Sequence, residues 1–132
     1  MSNSVATGVA YADPEFTTCY ASQEIGYAAG AQTAVTQATS KSTGVTSNTS
    51  AGQITMNNAS LATVTNVTFT LTNSLLSAKD VLILNVTNGT SGAYNAFVSS
   101  MAAGSATITL RNISGGALAE AVVINYAIIH SA

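Results

Sequence analysis

Apolar and polar residues alternate along most of this chain, in short runs that are separated by turn residues. In the run TVTNVTFTLT (63–72), one face carries Val67, Phe69 and Leu71, and the opposite face carries Asn66, Thr68, Thr70 and Thr72. In the run SATITLRN (105–112), Ile108 and Leu110 similarly oppose Thr and Arg side chains. A period of two residues is typical of a strand that buries one face and exposes the other.

Similar runs recur at intervals of 8–12 residues, which is typical of a sandwich of short strands. The sequence therefore predicts an all-β fold of about eight strands, an antiparallel β-sandwich or a jelly roll. Residues 1–15 show no clear periodicity, so they are expected to form an N-terminal arm, an irregular lead-in or a frayed end, while residues 16–132 form the sandwich domain. Strand-like runs lie at 16–22, 32–39, 44–48, 52–56, 63–72, 81–87, 93–101, 105–112 and 121–130.

The last run is unusual because both of its faces are apolar. A strand with one face in water would alternate apolar with polar residues, so we expect something to cover both sides of this strand. One face carries Val122, Ile124, Tyr126 and Ile128, and the other carries Ala121, Val123, Ala127 and Ile129.

Charged residues make up only 6% of the chain, three cationic and five acidic, against about 25% in an ordinary soluble protein. Three cations cannot neutralise many phosphates, which argues against nucleic-acid binding. The apolar run at 117–129 includes Glu120 and is shorter than the roughly 20 residues of a membrane-spanning helix. The N-terminus lacks the basic start and apolar core of a signal peptide, so we expect synthesis in a cytoplasm.

The sequence offers little material for catalysis. With one His and one Cys, it has no metal-ligand cluster, and no phosphate-binding loop is present. A Ser-His-acid triad would have to use His130, which we interpret instead as a strand-end residue in a polar rim or a subunit contact. Cys19 is expected to be a small buried hydrophobe. We therefore predict a protein that is not an enzyme and needs no cofactor.

Three stretches of the chain resemble a known module. GQITM, then VTFTLTNSLLSAKDVLILNV, and finally GAYNAFVSSMAAGSATITLRNISGGALAEAVVINYAII are similar to a β-sandwich found in tailed-phage virion proteins. The likeness covers roughly residues 36–130, and it extends both to trimeric capsid decoration (cement) proteins and to distal domains of tail fibres and tailspikes. No catalytic motif comes with it.

The resemblance implies a homotrimer on the outer capsid surface of a virion, with the major capsid protein as its partner. The alternative is a module that binds a host receptor or surface glycan. In a trimer, the second face of the last strand would meet a neighbouring subunit. Arg111 is expected to pair with Glu120 or with a partner's carboxylate, or to remain a solvated rim residue. The expected subunit contacts are Val123, Tyr126, Ile129, His130 and Arg111, and the expected capsid contacts are Val5, Val9, Tyr11 and Phe16.

Overall fold

The computed structural model describes residues 15–131, and it contains two packed β-sheets. After a single 3-10 turn at Ala29–Ala31, the chain forms eight strands. The predicted all-β sandwich of about eight strands is therefore confirmed. The strands are β1 Gln32–Thr36, β2 Val45–Thr46, β3 Ala51–Thr55, β4 Asn66–Thr72, β5 Val81–Asn88, β6 Tyr94–Ala102, β7 Ser105–Asn112 and β8 Val123–Ile129.

The chain alternates between the two sheets along most of its length. Sheet A has the order β1-β3-β8-β5, and sheet B has the order β2-β4-β7-β6. Only β6 and β7 follow each other within one sheet, through a tight turn at Gly104, whose φ is +79°. Both sheets are antiparallel at their centres, but the edge pairs β1–β3 and β2–β4 are parallel. Each parallel pair is linked through a strand of the opposite sheet, which returns the chain in its original direction.

The core lies between the facing sides of the two sheets. Residues of β4 and β8 alternate between more and less buried positions as their sequence pattern predicts, whereas in β7 Thr109 is buried along with its apolar neighbours Ile108 and Leu110. Full burial of each Leu or Ile side chain contributes about 1.5–3 kcal/mol. The fully buried apolar side chains include Ile54, Leu71, Ile108, Leu110, Ile124 and Ile128.

The structure corrects two expectations for the N-terminal part of the chain. The predicted strand at 16–22 is absent, and every residue from 15 to 30 is exposed. Cys19, which was expected to be buried, lies in this exposed segment. The strand-like run of β-favouring residues predicted a strand there, but no strand of the described chain pairs with it, so its side chains reach no core. The first strand of the sandwich, β1, begins at Gln32.

Strand β8 lies at the centre of sheet A, between β3 and β5. Its inward side chains, Ile124, Tyr126 and Ile128, pack against sheet B and are buried. Its outward side chains include Val123, which is half-buried, and Ile129, which is exposed. One of the two apolar faces of the last strand is therefore covered within the chain, and the other is not. No helix among residues 15–131 is long and apolar enough to cross a membrane.

Candidate interaction surfaces

The outer face of sheet A carries an apolar patch, formed by Val81, Ile83, Ala127 and Ile129. Val81 lies opposite Ile129 in the β5–β8 ladder, and Ile83 lies opposite Ala127. Side chains at paired positions on one face of a sheet are in contact distance. The side chains of Val81, Ile83 and Ile129 are 55%, 48% and 53% exposed. Four neighbouring apolar residues on one exposed sheet face form a candidate protein contact.

Residues 25–27 pass over one side of this apolar patch. The Tyr27 hydroxyl donates a hydrogen bond to the backbone carbonyl of Ile128. Between this segment and the sheet lies an open groove of about 610 Å³, lined by Ile25, Gly26 and Tyr27 together with patch residues. The groove is mostly apolar, so the N-terminal segment enlarges the apolar surface without covering it.

The segment that precedes the sandwich is exposed throughout. We call residues 15–28 the arm; this range follows the N-terminal arm or lead-in that was expected at residues 1–15. Its large apolar side chains Phe16, Tyr20 and Ile25 are 67%, 92% and 87% exposed. An exposed apolar side chain is common when it is isolated, but three of them in one extended segment, beside an apolar patch, indicate a second contact element.

The outer face of sheet B is polar instead. Strand β4 presents Thr68, Thr70 and Thr72 there, next to Thr107 and Thr109 of β7. We call this surface the hydroxyl face. Thr109 Oγ1 lies 2.9 Å from Thr68 Oγ1 and also hydrogen bonds to Ser99. These hydroxyls already satisfy one another, and the exposed aromatic ring of Phe97 lies beside them in the β6–β7 ladder.

The five residues expected at a subunit interface do not share one surface. Val123 and Ile129 lie on the outer face of sheet A, and His130 follows directly after β8. Arg111 lies on the hydroxyl face, opposite Asn66 and Asn95. Tyr126 faces the interior and is 3% exposed, so its ring is not available to a neighbouring subunit. Its hydroxyl hydrogen bonds to Ser47.

Among the expected capsid contacts, only Phe16 lies in the described residues, and it is exposed. Val5, Val9 and Tyr11 lie outside them. The proposed ion pair between Arg111 and Glu120 is replaced by another contact of the carboxylate. Glu120 accepts hydrogen bonds from the backbone N–H of Thr90, at 2.8 Å, and from its hydroxyl, at 3.2 Å. The Thr90 amide is the main cause of a lowered Glu120 pKa.

His130 forms a polar contact that joins the end of β8 to the turn before β5. Its Nδ1 lies 2.9 Å from Asp80 Oδ2. The hydroxyl of Ser77 donates to the other oxygen of Asp80, at 2.8 Å. A catalytic triad requires the hydroxyl on the imidazole and the imidazole on the carboxylate. Here the hydroxyl and the imidazole both contact the carboxylate, so the geometry indicates a structural connection.

Lys41 connects three loops at the opposite end of the β8 strand. Its ammonium group donates to the backbone carbonyl oxygens of Asn57 and Glu120, the latter at 2.6 Å. The side chain is buried, and desolvation lowers its pKa, while the negative charge of Glu120 acts in the opposite direction. No local sequence pattern singles out Lys41; the rarity of charge in this chain is the only available signal.

Within residues 15–131, no group of three or more His, Cys, Asp or Glu side chains is placed to hold a metal ion. No protein-family model, curated protein or solved structure matches the chain. The surfaces themselves therefore carry the functional argument. The most distinctive are the exposed arm and the apolar patch, over which residues 25–27 pass on one side only.

Proposed function

We propose that this protein is a structural subunit of a virion, a homotrimeric decoration (cement) protein that binds the outer capsid surface of a tailed phage and stabilises the head. The observation that carries the proposal is the exposed apolar patch on β5 and β8. Exposure of an apolar sheet face of this kind to water is unfavourable, so the face is suited to a permanent protein contact.

Three further features support an assembly role. The arm adds exposed aromatic side chains next to the patch. The low content of charged residues suits a protein whose surfaces are largely covered after assembly, because interface cores are depleted in charge. The proposal of a trimer, and of the capsid as its partner, rests on the resemblance of residues 36–130 to phage virion sandwiches.

The number of copies per virion tests this proposal. A decoration protein occupies repeated lattice positions, so we expect hundreds of copies in purified particles of the phage that encodes the chain. Quantitative mass spectrometry against the major capsid protein measures this ratio. Density for the sandwich on the outside of the head in a cryo-electron microscopy map would locate it. Absence from particles, or a few dozen copies at the tail, would contradict the decoration role.

The hydroxyl face favours a second candidate function, binding of a host receptor or surface glycan. Its Thr side chains and the exposed Phe97 ring combine hydrogen-bonding groups with an aromatic surface. If a glycan binds there, Phe97→Ala should weaken binding to host cell envelopes at least tenfold, whereas Leu75→Ser, at an exposed apolar position in the turn between β4 and β5, should not. Equal binding by both variants would remove the hydroxyl face as the receptor site.

A further inference from the structure

Strand β5 is an open edge of sheet A. Within the described chain it pairs only with β8, so the backbone groups on its other side have no strand partner. Natural edge strands are usually blocked by Pro, Lys, a bulge or a covering segment. In β5 the ladder irregularity lies between Val86 and Asn88, near the end of the strand. The apolar first half, from Val81 to Leu84, contains neither Pro nor Lys.

The arm contains a strand-like sequence that forms no strand in the single chain. In FTTCY (16–20), an extended backbone would place Phe16, Thr18 and Tyr20 on one face. Thr, Tyr and Phe are favoured in strands. The segment nevertheless has no ladder partner among residues 15–131, and its aromatic side chains are exposed. The chain thus holds both an unpaired edge and an unpaired strand-forming segment.

We propose that residues 16–20 of one copy add as a strand to the free edge of β5 in a second copy. Phe16 and Tyr20 would then lie on the outer face of sheet A, beside Val81 and Ile83. Backbone hydrogen bonds with β5 would supply affinity, and the apolar side chains would supply specificity, as in other cases of strand addition. This inference rests on the homo-oligomeric part of the proposed function and does not depend on the capsid.

The arm of a second copy is suited to this edge by the area that its aromatic side chains would bury and by its charges. Aromatic side chains bury roughly 150–250 Å² each, so two of them per arm, repeated around a closed oligomer, supply a substantial contact. Lys79, which is exposed, lies just before Val81. The arm carries Glu15 and Glu24 on the two sides of residues 16–20. An added strand that runs parallel to β5 brings Glu15 towards Lys79, and one that runs antiparallel brings Glu24 towards it.

Strand addition changes the contact that was expected for Phe16. Phe16 was expected at a capsid contact, and strand addition places it against a neighbouring subunit instead. Any capsid contact of the N-terminal region would then belong to residues before it.

Disulfide trapping between different chains tests the proposal. In a Cys19→Ser background, one chain carries Thr18→Cys and a second, mass-tagged chain carries Ile83→Cys. Thr18 is the central residue of 16–20, so a strand centred on Ile83, in the apolar first half of β5, brings the two positions together in either direction. Paired strand positions fall within the Cα separation that a disulfide requires. We expect mild oxidation of the mixture to give a covalent dimer of unlike chains.

A matched control replaces Ile83→Cys with Thr70→Cys, which is also exposed on a strand but lies on the hydroxyl face. This pair should not cross-link. Equal yields at the two positions, or a link that forms only inside a chain carrying both Thr18→Cys and Ile83→Cys, would overturn the proposal.

Self-association gives an independent measurement. The double variant Phe16→Ser/Tyr20→Ser should raise the dissociation constant of the oligomer at least tenfold, and Ile83→Ser should do the same. Phe97→Ser removes an exposed apolar side chain from sheet B and should leave the constant unchanged. A trimer that is insensitive to the arm and to Ile83 would overturn strand addition, even if virion copy number confirmed the decoration role. Conversely, cross-linking would stand if the protein were absent from capsids.

Discussion

Asp80 is one of the few charged residues in this chain, and its carboxylate accepts four hydrogen bonds. Its carboxylate accepts the backbone N–H groups of Ser77 and Ser131, at 2.8 and 3.1 Å, the Ser77 hydroxyl and the imidazole of His130. The Ser77 amide is the largest cause that holds the pKa of Asp80 well below its usual range, and burial opposes it. The ionised carboxylate therefore stabilises the folded chain.

This lowered pKa predicts a specific pH dependence. Because the folded pKa of Asp80 lies below that of an unfolded Asp, about 3.9, its stabilisation is complete above that value and is lost as the pH falls towards the lower folded pKa. Asp80→Asn should thus be less stable than the native chain at pH 7, and the difference should shrink at pH 3. Denaturant unfolding at the two pH values measures it.

Glu15→Gln provides the control, since it removes an exposed carboxylate from the arm. It should follow the native chain at both pH values. If the free energies of unfolding of Asp80→Asn and the native chain ran parallel from pH 7 to pH 3, the hydrogen-bonded carboxylate would not be a source of stability.

These contacts mark the limit of what the sequence predicts for single residues. The rarity of charge singled out Arg111, for which Glu120 was one of the alternatives, but Glu120 contacts Thr90 instead. The His130–Asp80 and Lys41–Glu120 contacts join residues that are distant in sequence, so local pattern contains no information about them. Single-residue polar contacts depend on strand pairing, which must be known first.

At the scale of elements, Gly52 occupies a position in β3 that no side chain fits. A Cβ atom there would lie 2.5 Å from the carbonyl oxygen of Thr33 in β1 and 2.8 Å from the ring of Tyr126 in β8. Strand β3 pairs with both of these strands, so neither can retreat without disturbing a ladder. The close approach of the Tyr126 ring therefore requires glycine.

Gly52→Ala should lower the free energy of unfolding by about 1–3 kcal/mol, the usual cost of overpacking. Gly116→Ala is the matched control, because nothing lies within 4 Å of its added Cβ, and it should change stability by less. Chemical denaturation of both variants provides the comparison. Equal stabilities would mean that the Tyr126 ring moves aside without cost.

Period-two patterns predicted the strands well where an opposite sheet was present to bury one face. The runs at 63–72 and 105–112 correspond to β4 and β7, and the inward positions Phe69, Ile108 and Leu110 are buried as expected. The run at 16–22 has a comparable composition but lies in the arm. Periodicity predicts a preference for extended backbone, whereas a strand also needs a partner. The pattern within one strand also does not say which strand it pairs with or in which direction, so the parallel edge pairs were not predicted.

At the scale of the whole molecule, the apolar core that stabilises the fold belongs to the sandwich, and the arm does not contribute to it. All the side chains of the apolar core and its partly buried lining lie between Val35 and Ile128. The exposed arm contributes no buried side chain, and its closest described connection to the sandwich is the Tyr27 hydrogen bond. Folding and assembly should consequently respond differently to removal of the arm.

Deletion of residues 1–26 tests this separation and keeps Tyr27. The shortened chain should retain the far-ultraviolet circular dichroism of a β-sandwich, because its core is complete, but it should remain monomeric over a dilution series in light scattering. Ordering the arm on a neighbour costs roughly 1–2 kcal/mol per residue in backbone entropy, so assembly is favourable only while Phe16 and Tyr20 are present to offset that cost. Full-length Phe97→Ser should assemble normally in parallel. A shortened chain that still forms trimers would place the subunit contact on the sandwich, and one that unfolds would make the arm part of the domain.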